Sequence, residues 1–248
     1  MQHAYQTITL PSQGLLYDDQ VPEGQVEIRK MTTSELTRLE GGSGNVGDRL
    51  NLIIDACLKL PNAYDPTKLL IVDRMAALIS LRAISFSPSY DYQYRCSQCG
   101  ASCKATCDIL EDLELKEPVG GVIEPVSITL PDEEKTVELR FLRGEDEKRI
   151  LKVAKRLKMQ SNDASDESGI YRIALQIVSV DGQTDMPISA RELFVKHLSA
   201  ADNIRIRNAI DDAEPGIDTR LYPTCRSCGA DNEVELPFTG EFFRPSRL

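Results

Sequence analysis

The chain has 248 residues, 41% of them hydrophobic and 27% charged, with a formal net charge of −10. That length can bury a real core, as one domain with an insertion or as two small ones. The acidic balance disfavours non-specific attraction to nucleic acid or an anionic membrane, and no apolar run approaches the roughly 20 residues of a membrane span.

The first stretch reads as a small β element. Ile8 and Leu10 run up to Pro11, Gly14 opens a turn into Leu15-Leu16-Tyr17, and Pro22-Glu-Gly24 turns the chain before Val26 and Ile28 alternate. Thr32-Thr-Ser-Glu35 is a capping-box pattern for a short helix that stops at Gly41-Gly42. The glycine-rich stretch Gly41–Gly47 lacks the Lys-Ser/Thr of a phosphate loop and the strand-before-helix setting of a dinucleotide turn, so it reads as a linker. Leu50, Ile53, Ile54, Cys57 and Leu58 fall on one face of an amphipathic helix, with Cys57 as a core thiol. Asp65-Pro66 is expected to cap and start the next helix, which runs through Leu69 to Leu81. That helix is apolar around most of its circumference and should centre a separate N-terminal apolar cluster. Asp73, Arg74 and Arg82 interrupt it, either paired inside or turned towards a partner.

Tyr90, Tyr92 and Tyr94 alternate as a strand into Cys96-Ser-Gln-Cys99-Gly100. Cys103 and Cys107 extend this to C-x2-C-x3-C-x3-C, loosely like iron–sulfur spacing but without the ferredoxin pattern or a following proline. Four positions apart on a strand, they point the same way and read as buried apolar thiols. Pro118-Val-Gly-Gly121 is a linker, and Val126, Ile128, Leu130 and Val137, Leu139, Phe141 alternate about a turn at Pro131–Glu134 as a β-hairpin. Helical patterns occupy about Glu145–Met159, Ile170–Val180, Ser189–Leu198 and Ala200–Ala213, with Ser189-Ala-Arg-Glu192 as a second capping box and a polar segment, Ser161–Ser168, expected to be mobile. Pro215-Gly216 ends the last helix. On the first of these helices Glu145, Asp146 and Glu147 precede Lys148, Arg149, Lys152, Lys155, Arg156 and Lys158, a distribution that suits the helix dipole. It reads as a solvated face, with a docking strip for an acidic partner as the sharper alternative. The two histidines, His3 near the start and His197 in a helical stretch, suggest no site.

Cys225-Arg-Ser-Cys228-Gly229 repeats the C-x-x-C-G shape, with Val234, Leu236 and Phe238 alternating after it. Two-residue spacing lets both thiolates of a knuckle reach one ion, and the following glycine relieves the tight turn. One structural zinc held by Cys96, Cys99, Cys225 and Cys228 is the economical reading, adding roughly 10–16 kcal/mol of apparent binding energy to folding. Sulfur in all four positions leaves none open for substrate or activated water, so the motif argues for architecture and against zinc catalysis. Disulfides, redox dithiols and a vestigial site are the alternatives; the opening Met1-Gln-His-Ala-Tyr5 shows no apolar secretory stretch, which favours metal over cystine. No nucleophile–base pair, carboxylate dyad or phosphate cradle is evident, so no enzyme is expected.

These signals combine to an α+β fold: mainly helical lobes, short β-hairpins, and a zinc-ribbon-like module built from two distant knuckles on a shared β-ribbon. The expected division is 1–88 for the N-terminal β element and helices and 89–118 for the first half of the ribbon. Residues 119–218 form an inserted hairpin and helical lobe, and 219–248 the second half with a C-terminal tail. In that tail Phe242-Phe243 should be tucked into the ribbon or into a partner.

Taken in order, several landmarks belong together: Leu10-Pro-Ser-Gln-Gly14-Leu-Leu-Tyr17, Val26-Glu-Ile-Arg-Lys-Met-Thr-Thr33, Leu81-Arg-Ala-Ile-Ser85 and Tyr92-Gln-Tyr-Arg-Cys96. Ile177-Val-Ser-Val-Asp181-Gly182, Ala200-Ala-Asp-Asn203, Pro215-Gly216, the second knuckle and Phe242-Phe-Arg-Pro245 follow. Over nearly the full length this set resembles the baseplate hub assembly proteins of T-even-type contractile-tailed bacteriophages. The resemblance implies a phage-encoded, non-enzymatic protein that helps build the central hub of the tail baseplate, as a chaperone-like factor or a structural component. It implies phage tail and baseplate hub proteins as partners, with the tape measure protein as a further candidate. The implied location is the host cytoplasm during assembly, or the virion tail baseplate if the protein is retained. The runner-up is a zinc-ribbon nucleic-acid-binding adaptor with the Lys148–Lys158 helix on phosphate, which net acidity and the lack of interleaved aromatics disfavour.

Overall fold

A computed structural model describes residues 4–40, 46–160, 168–236 and 242–243, without the side chains of Lys158 and Gln160. His3, most of the glycine-rich linker (41–45), the polar segment 161–167, Phe238 and Pro245 lie outside the described residues. Among those described, seven helices surround five small sheets of two or three strands each.

β1 (Tyr5–Thr9) pairs antiparallel with β2 (Gln25–Arg29), placing Ile8 opposite Val26, and β2 pairs in turn with β3 (Leu58–Lys59). α1 (Thr33–Glu40) starts where its capping box predicts. Glu35 accepts from the Thr32 N–H at 2.7 Å and from its hydroxyl, and receives the Arg29 guanidinium at 3.0 Å. The Arg29 hydrogen bond leads the interactions that hold the Glu35 carboxyl down at about 2. α2 (Val46–Cys57) buries Ile53, Ile54 and Cys57 as expected, but Leu58 leaves the helix to pair with Ile28 in the sheet.

α3 (Ile71–Ser85) begins later than its pattern suggests. Asp65 caps only a single 3-10 turn, Pro66–Lys68, accepting from the Thr67 N–H at 2.9 Å. Beyond it, tertiary backbone bonds hold the chain extended: the Gly144 N–H donates to Leu69 O at 2.9 Å, and the Leu70 N–H to the Tyr17 hydroxyl at 2.9 Å. The polar interruptions of α3 are all turned inward. Asp73 accepts from the Ser12 N–H at 3.0 Å, the Ser12 hydroxyl at 2.5 Å and the Tyr17 hydroxyl. Burial pushes its carboxyl up, and these three donors offset that only in part. Arg74 donates to Asp55 at 3.1 Å, Pro66 O at 2.7 Å and Asn51 at 2.5 Å. Gly144 is required beside it, because a Cβ there would lie 2.8 Å from Arg74 Cδ.

β4 (Ser89–Arg95) and β5 (Ser102–Asp108) form a hairpin with Tyr94 opposite Cys103 and Tyr90 opposite Cys107. β6 (Glu114–Lys116) precedes the second hairpin, in which β7 (Val126–Leu130) pairs with β8 (Lys135–Leu139) as predicted. α4 (Gly144–Gln160) begins on buried Asp146, which accepts bidentate from Arg140 at 2.7 and 2.8 Å. α5 (Ser168–Gln176) is shorter than its pattern. The expected helix to Val180 is overturned, because β9 (Ile177–Val180) pairs with β8, Val180 opposite Val137. α6 (Ile188–His197) also departs from expectation: Pro187 occupies its N-cap position, and no side chain caps it through the Ser189–Glu192 pattern. α7 (Ala200–Ala213) matches its predicted span, with the Ser199 hydroxyl accepting from the Asp202 N–H at 3.0 Å.

β10 (Gly216–Asp218) pairs antiparallel with β6, Gly216 opposite Lys116, and β11 (Arg220–Leu221) pairs with β12 (Val234–Glu235). One apolar cluster runs from Leu10 through Ile54, Leu81, Tyr94, Leu139 and Ile206 to Phe243, instead of the separate N-terminal cluster expected. The cause is α3, whose inward faces meet both the N-terminal sheet and the chain around Leu142.

Two stability predictions follow from the inward polar groups. Asp73→Ala leaves the Ser12 and Tyr17 donors buried without an acceptor and should cost about 3–5 kcal/mol in urea unfolding. Glu35→Gln should cost about 2 kcal/mol at neutral pH. Because the Glu35 carboxyl is depressed from 4.5 to about 2, its contribution is present above pH 4.5 and lost as pH falls towards 2. The difference between the two proteins should therefore narrow across that window in pH-dependent denaturation.

Candidate metal centre

Each knuckle closes by the same two backbone bonds. In the first, the Cys96 N–H donates to Ala101 O at 2.9 Å and the Gly100 N–H to Cys96 O at 3.0 Å. In the second, the Cys225 N–H donates to Ala230 O at 2.8 Å and the Gly229 N–H to Cys225 O at 2.8 Å. Gly100 and Gly229 take φ +71° and +75°, the left-handed conformation that the turn needs from glycine. The knuckles do not share a ribbon as the sequence suggests. The first sits at the tip of the β4–β5 hairpin, the second between β11 and β12, and the two sheets remain separate.

What joins them is sulfur and one amide. The Sγ atoms of Cys96, Cys99, Cys225 and Cys228 all lie within 4.8 Å of one another, with Cys96 to Cys228 and Cys99 to Cys225 both at 3.8 Å. Four thiolates at about 2.3 Å from a shared tetrahedral ion would be about 3.8 Å apart, the spacing of those two pairs, so the cluster could hold a thiophilic ion. Cys96 and Cys225 are buried, whereas Cys99 and Cys228 face solvent. The backbone N–H groups of Cys228 and Ser227 lower the Cys225 thiol to about 6, and those of Cys99 and Gln98 lower Cys96. Backbone donors thus favour the thiolate at Cys225 and Cys96. At Cys228 the Ala230 N–H acts the same way, but the Cys99 thiol and burial outweigh it and push the group up to about 12.

The amide is Asn232, a residue the sequence pattern does not single out. Its Oδ1 accepts from the Ser97 N–H at 2.9 Å and the Ser97 hydroxyl at 3.1 Å, while its Nδ2 donates to Ala230 O at 2.9 Å. One buried side chain therefore ties the first knuckle to the second. Asn four residues after the second cysteine is a signal too common to be noticed without the fold.

Cys103 and Cys107 are both buried on β5, pointing to the same face, and burial raises both thiols, Cys107 to about 11. Cys57 is likewise a core thiol, raised to about 11 by burial. Phe242 and Phe243 are buried too. Phe242 lies edge-on to Tyr90 at 5.0 Å, and Arg82 donates to its carbonyl at 3.3 Å. On α4, Lys148 lies 3.6 Å from Asp55 and Arg149 3.6 Å from Asp146, while Lys152, Lys155 and Arg156 are exposed.

The fold and site define a mixed α+β protein whose separated cysteine pairs converge on one metal-competent cluster. The chain belongs to the T4 bacteriophage base plate protein family, whose model matches residues 5–244. No curated protein and no solved structure matches it. Among the described residues, no helix is long and apolar enough to cross a membrane.

Asn232→Ala removes the bridge between the knuckles without touching a sulfur. It should weaken binding of a thiophilic divalent ion about tenfold, as loss of a supporting hydrogen bond does in other metal sites. Competition against a chromogenic chelator checks this, with Asn232→Asp, which retains the acceptor, expected closer to the parent.

Proposed function

We propose that the protein takes part in assembling the central hub of the phage tail baseplate, acting by protein–protein binding with one structural zinc and no active site. The observation that carries this reading is the base plate family match across residues 5–244. The four-sulfur cluster supports it, because a shell filled by sulfur offers no position for substrate. On this reading residues 119–218 are an insertion between the two halves of the metal module. The zinc holds a binding scaffold together, and the partners are other hub proteins, with the tape measure protein as a further candidate. A chaperone-like role would cover an exposed strand edge of a hub subunit until its symmetry-mates arrive, whereas a structural role would make a permanent interface.

The contact surface is sought on the N-terminal sheet and on the basic side of α4, but not on Phe242-Phe243, since both rings are buried within the chain itself. Lys152, Lys155 and Arg156 also support a second reading, a nucleic-acid adaptor, since they are exposed cations within one and a half turns.

Co-expression with each tail-hub protein followed by pull-down separates the two. The hub reading predicts capture of a hub component, which survives nuclease treatment and is weakened when Lys152, Lys155 and Arg156 are changed to Glu if α4 is the surface. Failure to capture any hub or tape measure component, together with DNA binding that falls steeply with salt, would replace it with the adaptor reading.

A further inference from the structure

We infer that Cys103 is a fifth thiol of the metal centre, able to occupy the coordination position of Cys225. The inference rests on the four-sulfur cluster being a metal site, and it concerns a residue outside that cluster. Cys103 Sγ lies 3.6 Å from Cys225 Sγ, closer than the 3.8 Å of either cross-knuckle pair quoted above. It is 7% exposed and is carried by β5, the strand that leaves the first knuckle. Its other polar neighbours are Ala101 O at 3.7 Å, the carbonyl that closes that knuckle on the Cys96 N–H, and the Tyr94 hydroxyl across the hairpin.

The fold contains its own control. Cys107 is four residues further along the same strand, on the same face and 5% exposed, yet it has no sulfur neighbour among the described residues. Burial and strand position therefore explain Cys107 completely, as a small apolar side chain. They do not explain why Cys103 meets a ligand sulfur. A cysteine side chain has one rotatable bond before its sulfur, so a step between staggered χ1 wells moves the thiol by about 3 Å with the backbone fixed. Thiophilic ions exchange thiolate ligands readily when an incoming sulfur is already in contact. Cys225 has that incoming sulfur beside it. The swap breaks one metal–sulfur bond and forms another, moving the Cys103 proton to the departing Cys225 thiolate, so charge and protons balance with no further reagent.

Cobalt(II) titration of the full chain tests this, with the thiolate-to-cobalt charge-transfer intensity as the count of sulfur ligands. Cys225→Ser should keep the four-thiolate intensity, and Cys225→Ser with Cys103→Ser should fall to three and bind at least about tenfold more weakly. Cys99→Ser should fall to three whether or not Cys103 is present. A three-thiolate spectrum for Cys225→Ser, unaltered by adding Cys103→Ser, would overturn the inference. Should Cys225→Ser fail to fold, the single variants decide. Cys103→Ser should release cobalt to a chelator about tenfold faster than the parent, and Cys107→Ser should not; equal rates for all three proteins would overturn it. A parent chain that binds no cobalt removes the metal reading itself, and this inference with it. A parent that binds through four thiolates while Cys103 proves indifferent overturns the inference alone.

Discussion

The structure depends on holding together parts of the chain that are more than a hundred residues apart, and the cysteine cluster is one of those ties. Cys99 and Cys225 are separated by 126 residues and Cys96 and Cys228 by 132, yet each pair meets at 3.8 Å. Closing a flexible loop of that length costs several kcal/mol of chain entropy, although the cost grows only slowly with length. The chain reduces it in stages. The β6–β10 pair brings Lys116 beside Gly216, so with that pair formed the knuckles close only the shorter stretches outside it. Arg82 adds a third tie by donating to Phe242 O across 160 residues and standing 5.5 Å from the Phe242 ring. Sulfur, backbone and guanidinium thus fasten the C-terminal segment to the middle of the chain by three different chemistries.

The helices are joined by buried polar groups to a degree unusual for so apolar a segment as α3. Asp73 fixes the loop that carries Ser12 and Tyr17, and Arg74 fixes α2 and the turn at Pro66. Such groups add little net stability over a well-packed apolar replacement, but each leaves an unpaired partner if lost, so they select one packing. A protein that works by binding needs that selection, because its surface is only as defined as the core beneath it. The same reasoning places the zinc of the proposed function in the scaffold, and it leaves partner recognition to the exposed residues.

Local chemistry was the legible part of the sequence. C-x-x-C-G spacing identified both knuckles, the helical pattern from Ala200 and the Pro-Gly end delimited α7, and alternation found β4 and the β7–β8 hairpin. The errors at α5 and at the start of α3 lie where a distant partner overrode a local pattern, whereas the failed capping box of α6 is a local one, with Pro187 in the N-cap position. Ile177-Val-Ser-Val continues the apolar stripe of α5, and only β8 beside it makes it a strand. Leu69-Leu70 belongs to the α3 pattern, but Gly144 and Tyr17 draw its backbone out of the helix. Asn232 could not be found at all, since its role exists only when Ser97 arrives from the other knuckle. Cys103 was visible as a cysteine, but its contact with Cys225 was not, because alternation fixes a face and says nothing of what packs against it.

Zinc-edge X-ray absorption on the purified full chain tests the central claim most directly. The account predicts one zinc per chain with a first shell of four sulfurs at about 2.3 Å and no nitrogen or oxygen ligand. A shell containing nitrogen or oxygen, or a chain purified under reducing conditions that neither contains nor takes up zinc, would contradict it.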